Sequence, residues 1–111
     1  MKRILLLGFG EVGTTLAADL AACSGCELVA WDLLFCDGQS KPSQALAAQP
    51  RVRRAASAAL AADGCDAVIS AVTAAQALDA ARSVLWGLAS GAWFVDLTRS
   101  RRRRRSNWPG R

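Results

Sequence analysis

Lys2-Arg3-Ile4-Leu5-Leu6-Leu7-Gly8-Phe9-Gly10-Glu11-Val12-Gly13 decides the fold. Its last six residues fit G-x-G-x-x-G, a pattern that takes its meaning from what surrounds it, because glycine is common and six positions match easily. Here the surroundings agree. Residues 2–7 predict a buried strand, residues 11–22 predict a helix, and an acid, Asp32, closes the next apolar run 19 residues beyond Gly13. Strand, glycine loop, helix and acid in that order are the fingerprint of a dinucleotide-binding βαβ unit. Each part has a mechanical role. Gly8 permits a tight turn out of the strand, Gly10 lets a pyrophosphate approach the backbone, and Gly13 lets the helix pack close to the strand. The helix N-terminus offers N–H groups and the positive end of its dipole to the phosphates. Asp32 is placed to accept hydrogen bonds from the adenosine ribose; an Asp ending a strand can also simply start a turn.

Working outward, Val12, Leu16, Leu20 and Cys23 recur at helical spacing and predict the buried face of the first helix. Glu11 stands in its first turn, where a carboxylate suits the dipole. Residues 27–32 form a second strand. A loop over Asp37 to Pro42 leads to a short helical run from Ser43 to Ala48, which Pro50 ends. Residues 51–55 predict a short third strand at an edge. Ser57 caps a helix over 58–62 that Asp63-Gly64 stops. Residues 66–72 are almost wholly apolar, as a central parallel strand is. A long helix follows over 74–89, with Leu78, Ala81, Leu85 and Leu88 on one face, and a fifth strand over 93–97. Strict alternation of strand and helix predicts an α/β fold: a Rossmann-type, doubly wound parallel sheet of about five strands in a three-layer αβα arrangement. Residues 1–98 make one such domain, with no sixth strand expected.

After Thr98 the composition changes. Residues 99–111 hold seven Arg and no acid, and a block of like charge with Pro and Gly predicts disorder. The chain's net charge of +5 resides there: the first 98 residues carry the other seven bases against all nine acids, a net of −2. A polyanion-binding role therefore rests on the tail, as nonspecific phosphate attraction. The apolar run after Met1-Lys2-Arg3 breaks at Gly8, too early for a signal peptide, and no stretch approaches a membrane span. The cytoplasm is the expected location. Cys23-Ser24-Gly25-Cys26 is a C-x-x-C, but the chain has no His and no second such pair, and the motif falls at a helix C-terminus, where the dipole disfavours thiolate. All four cysteines, including Cys36 and Cys65, are expected to be small, buried and reduced.

Four blocks together carry a resemblance more specific than the glycine pattern: Ile4 to Gly13; Ala30-Trp31-Asp32; Val68-Ile69-Ser70-Ala71-Val72-Thr73-Ala74-Ala75-Gln76-Ala77; and Gly91-Ala92-Trp93-Phe94-Val95-Asp96-Leu97-Thr98. In order and spacing the body resembles the N-terminal domain of the 6-phosphogluconate/3-hydroxyisobutyrate dehydrogenase (β-hydroxyacid dehydrogenase) superfamily. The resemblance implies NAD or NADP binding by Gly8, Phe9, Gly10, Glu11, Val12, Gly13 and Asp32, with Ala71, Val72 and Thr73 against the cofactor. Asp32, with no Arg close behind it, favours NAD, since a carboxylate repels a 2′-phosphate. Thr98 stands where the family's substrate-carboxylate loop begins, but Arg99 replaces its Ser. The family's catalytic Lys belongs to a helical second domain with no counterpart in this sequence, so no catalytic residue transfers and the chain is expected to be catalytically incompetent alone. The tail is what a high-GC gene yields when read out of frame, which makes a truncated or frameshifted dehydrogenase the leading expectation. Two others stand beside it: a stand-alone NAD(H)-sensing Rossmann module, and nucleic-acid binding through residues 99–111. A homodimer through an exposed sheet edge is also expected, because an uncovered edge invites pairing.

Overall fold

The computed structural model describes residues 2–22, 25–72, 76–85, 91–97 and 101–104. Its elements are β1 (Lys2–Leu7), α1 (Glu11–Ala21), β2 (Cys26–Trp31), a 3-10 turn (Leu33–Cys36), α2 (Lys41–Ala47), β3 (Val52–Arg54), α3 (Ala58–Ala62), β4 (Ala67–Ser70), α4 (Ala77–Leu85), β5 (Trp93–Asp96) and β6 (Arg101–Arg104). All six strands lie in one sheet, in the order β3-β2-β1-β4-β5-β6. The first five pair in parallel, the expected doubly wound sheet.

The strand period of two sends alternate residues to opposite faces. Leu5 and Leu7 join Val29, Val68 and Phe94 beneath Ala61 and Ala62 of α3 and Val84 of α4. Leu6 joins Leu28, Ala30 and Val52 beneath Ala17 of α1, together with Phe9 and Phe35. Because β1 is covered on both faces, it has to be apolar along its whole second half; each such buried Leu contributes roughly 1.5–3 kcal/mol. No helix among the described residues is long and apolar enough to cross a membrane.

Four sequence expectations need correction. In α1 the buried positions are Gly13 and Ala17, flanked by Leu16, Leu20 and Ala21, while Val12 is 56% exposed. Close approach to β1 selects the smallest side chains, which turns the inward face away from Val12; Cys23 lies outside the described residues. The second helix begins at Lys41, two residues early, because Ser40 Oγ accepts from Ser43 N–H at 3.3 Å and Pro42 fits a first turn where no N–H is needed. Of the three described cysteines only Cys65 is buried; Cys26 is half-buried and Cys36 exposed at the end of the 3-10 turn.

The fourth correction concerns the tail. Residues 101–104 are not disordered but form β6, antiparallel to β5, with Arg101 opposite Asp96 and Arg104 opposite Trp93. Strand pairing joins backbone groups whatever the side chains carry, and the outer edge of β5 would otherwise present a row of unpaired N–H and C=O groups. The sheet edges are thus β3 and β6, and β5 is covered on both sides. By contrast, Ser57 caps α3 as its sequence predicts, accepting from Leu60 N–H at 3.2 Å, and Gly64 follows with φ +75°.

Candidate functional site

β1 and β4 are neighbours at the centre of the sheet, and the chain leaves them towards opposite faces. Their C-terminal ends therefore part and open a crevice, the point at which ligands bind in such sheets. Gly8 leaves β1 with φ +94°, where an L side chain is strained, and an added Cβ would lie 2.9 Å from Val72 Cγ1 and 3.1 Å from the Ala71 carbonyl oxygen. Its N–H donates to the Trp31 carbonyl at 2.7 Å, while Ala71 N–H donates to the Leu7 carbonyl at 2.9 Å. The loops after β1, β2 and β4 are thereby tied together by backbone.

Gly13 meets a harder limit: an added Cβ would come within 2.3 Å of the Gly8 carbonyl oxygen. Gly10 is the opposite case. It is the N-cap of α1, no side chain caps that end, and an added Cβ would meet nothing within 4 Å. The helix start thus faces open space with its first-turn N–H groups, which is what an anionic ligand requires. Glu11 and Val12 are exposed in that same turn. Phe9 turns the other way, fully buried with its ring edge-on to Phe35 at 6.1 Å; Phe35 in turn meets Trp31 edge-on at 6.3 Å. The side chain of Phe9 is therefore the anchor of the loop.

Asp32 starts a turn, one of the two roles foreseen for it, and also holds the glycine loop. Its Oδ1 accepts from Leu34 N–H at 2.9 Å and starts the 3-10 turn, and its Oδ2 accepts from Phe9 N–H at 2.7 Å and pins the glycine loop. A carboxylate has about four lone-pair sites, so these two bonds leave acceptor capacity for a ligand hydroxyl.

One cavity of about 740 Å³ gathers these parts. Gly8, Gly10, Asp32, Ala71 and Val72 line it; Phe9, Glu11, Val12 and Gly13 do not, and Thr73 and Thr98 lie outside the described residues. The sequence reading missed most of its walls. One wall is Trp31, Leu33, Leu34 and Pro42, the other Gln76, Asp79, Ala80 and Ser83. A signal existed for each. Leu33 and Leu34 are an apolar pair directly behind the acid and stay 67% and 52% exposed. Residues 76, 80 and 83 recur at helical spacing. The lining holds two carboxylates, Asp32 and Asp79, and no Lys or Arg among the described residues.

A parallel sheet in this order, a glycine turn leading into an uncapped helix, and an acid behind the second strand together define a dinucleotide-binding Rossmann domain. Residues 3–107 match the model of the NAD binding domain of 6-phosphogluconate dehydrogenase, and the chain belongs to that family. Among solved structures, it is similar to a conserved hypothetical protein from Sinorhizobium meliloti 1021, with 34% identity over 87% of this chain and 32% of that one and a TM-score of 0.74. It is also similar to a protein from Arthrobacter sp. FB24 assigned as an F420-dependent NADP-reductase, with 31% identity over 87% of this chain and 44% of that one and a TM-score of 0.74. A diketoreductase shares the fold, at 19% identity over 86% of this chain and 41% of that one, with a TM-score of 0.60. The chain thus spans less than half the length of each of these relatives. No curated protein matches it.

Proposed function

We propose that this chain is the cofactor-holding part of a β-hydroxyacid dehydrogenase-like oxidoreductase, and that by itself it binds the dinucleotide without turning over substrate. The observation that carries this reading is the convergence of Gly8, Gly10, Asp32, Ala71 and Val72 on one cavity. The residues present suit the cofactor: an uncapped helix start with open space at Gly10 for the pyrophosphate, and a carboxylate with spare acceptor sites at Asp32 for the ribose. When bound, the nicotinamide would supply the hydride chemistry. The chain's own residues bind and orient: first-turn N–H groups of α1 hold the phosphates, Asp32 holds the ribose and the loop together, and Leu33 and Leu34 exclude water from the adenosine end.

NAD is the proposed partner in preference to NADP. Asp32 and Asp79 are the charged groups in the described lining. A unit charge 4 Å away costs a 2′-phosphate about 1 kcal/mol at the dielectric of water and about 4 kcal/mol at an effective value of 20. The Arthrobacter relative is assigned to NADP and F420, so those are the other arms of the test. In a fluorescence titration NADH should saturate the protein, NADPH should bind at least about tenfold more weakly, matching that penalty, and F420 should not compete. Folded protein that binds no nicotinamide dinucleotide at millimolar concentration overturns the proposal.

A second reading, a stand-alone NAD(H)-sensing module, gains support from β6, the sixth strand that covers the edge of β5. It predicts a dimer whose assembly responds to NADH in sedimentation velocity; a chain whose state ignores NADH speaks against it.

A further inference from the structure

β6 gives the sheet a cationic outer edge. Arg101, Arg102, Arg103 and Arg104 make up the whole strand, and it stands last in the order β3-β2-β1-β4-β5-β6. Its inner side is joined to β5, with the four arginines opposite Asp96, Val95, Phe94 and Trp93 in turn. β5 therefore sets one acid, Asp96, against four arginines. Phe94 packs in the core beneath α3 and α4. The strand period of two then places Arg101 and Arg103 on that face of the sheet, and Arg102 and Arg104 on the other. The outer side of β6 has no neighbouring strand among the described residues. Such an edge presents N–H and C=O groups that can take one.

Charge and backbone together select the occupant. A second copy of this chain would bring either β6, arginine against arginine, or β3, which carries Arg53 and Arg54. Like charges directly opposite each other destabilise a strand pair. A nucleic acid matches the charge but has no peptide backbone to continue the ladder. An extended peptide rich in Asp or Glu meets both demands: its backbone adds to the sheet, and its carboxylates stand across from arginine on either face. We propose that β6 is a docking edge for an extended acidic peptide, which joins the sheet as a further strand. The arginines serve twice, barring the pairing of copies through this edge and selecting an acidic strand. The cofactor cavity takes none of its described lining from β5 or β6, so this site stands or falls independently of dinucleotide binding.

The test is fluorescence anisotropy of labelled octaglutamate with the full chain at low ionic strength, where self-repulsion keeps the probe extended. Saturable binding is expected at millimolar concentration or below, and none of octalysine. Octaglutamate methylated at every amide nitrogen keeps its charge but cannot donate to the sheet. It should bind at least about tenfold more weakly, the loss of one or two backbone hydrogen bonds. An oligothymidylate of equal charge should also bind more weakly. Arg102→Glu combined with Arg104→Glu changes the positions opposite Val95 and Trp93 and leaves Arg101 opposite Asp96. An opposite-charge pair across strands contributes up to about fivefold, so turning two into like-charge pairs should lower octaglutamate affinity at least about tenfold. Circular dichroism of this double variant should match wild type; where it does not, the methylated probe decides, since it leaves the protein unchanged. Absence of octaglutamate binding to the folded wild type overturns the proposal. Equal affinity for the methylated peptide, or tighter binding of the oligothymidylate, also overturns it and leaves charge attraction alone.

Discussion

Gly10 and Gly13 belong to one motif, yet the structure separates their duties, and alanine at each position tests the separation. At Gly13 an added Cβ lies 2.3 Å from the Gly8 carbonyl oxygen, where ordinary contact begins at 3.4 Å, so α1 or the glycine loop must retreat by about 1.1 Å. The obstacle is backbone and cannot rotate aside. A gap of about 0.5–1 Å forfeits a quarter to a half of each dispersion contact along the face. Here that face is Ala17, Leu16 and Leu20 against the sheet. Overpacking of this kind costs about 1–3 kcal/mol, offset by roughly 0.5–1 kcal/mol from replacing glycine by alanine within a helix. We expect Gly13→Ala to lose about 1–2 kcal/mol in urea denaturation, a fall in Tm of roughly 5 °C or more. At Gly10 the same added carbon meets nothing within 4 Å, and φ is −82°, open to any residue. Gly10→Ala should stay within about 1 kcal/mol of wild type, the scale of an N-cap change. Its methyl group, however, stands in the space assigned to the pyrophosphate, and NADH affinity should fall at least about tenfold, the value of a lost charge-assisted hydrogen bond. A Gly13→Ala protein as stable as wild type refutes the packing account. A Gly10→Ala protein that binds NADH undiminished refutes the placement of the phosphates.

Three further outcomes are expected. Asp32→Ala leaves the N–H of the fully buried Phe9 without its acceptor, so stability should fall by about 1–3 kcal/mol even without cofactor, read from the urea midpoint. Burial pushes the Cys65 thiol up from 9.0 to about 11, outweighing the opposing pull of Arg3. The folded state then holds the proton after the unfolded state has lost it, so the thiol's contribution to stability is constant below pH 9 and falls as pH rises from about 9 to 11, by up to ~1.4 kcal/mol per pH unit. Cys65→Ala should flatten that limb of the stability–pH curve; an identical slope in the variant would exclude Cys65 as its source. Finally, removing residues 99–111 uncovers the edge of β5. The shortened chain should self-associate with rising concentration in sedimentation velocity, and one that sediments as the full chain does shows that β6 guards nothing.

Much of this protein was legible before any coordinates. The period-two and period-3.6 patterns, the glycine spacing and Asp32 determine the five parallel strands and the cofactor loop, because these are local demands: a turn needs Gly8, a helix start needs Gly10 bare, and a buried strand needs Leu5 to Leu7. The Ser57 cap and the stop at Gly64 are equally local. Tertiary structure decided what depends on neighbours remote in the chain. Which face of α1 turns inward follows from the Gly8 carbonyl lying 2.3 Å from the Cβ that Gly13 lacks, so the periodicity that includes Val12 misleads. Residues 101–104 look disordered by charge, yet they pair with β5, because an open strand edge binds backbone irrespective of side chain. The α4 wall of Gln76, Asp79, Ala80 and Ser83 meets Asp32 only because β4 inserts beside β1, bringing a helix more than 40 residues further along the chain against the acid. Local patterns of residues are enough to announce the dinucleotide loop. The packing of the sheet decided what surrounds it, since a cavity is made by elements that no short stretch contains.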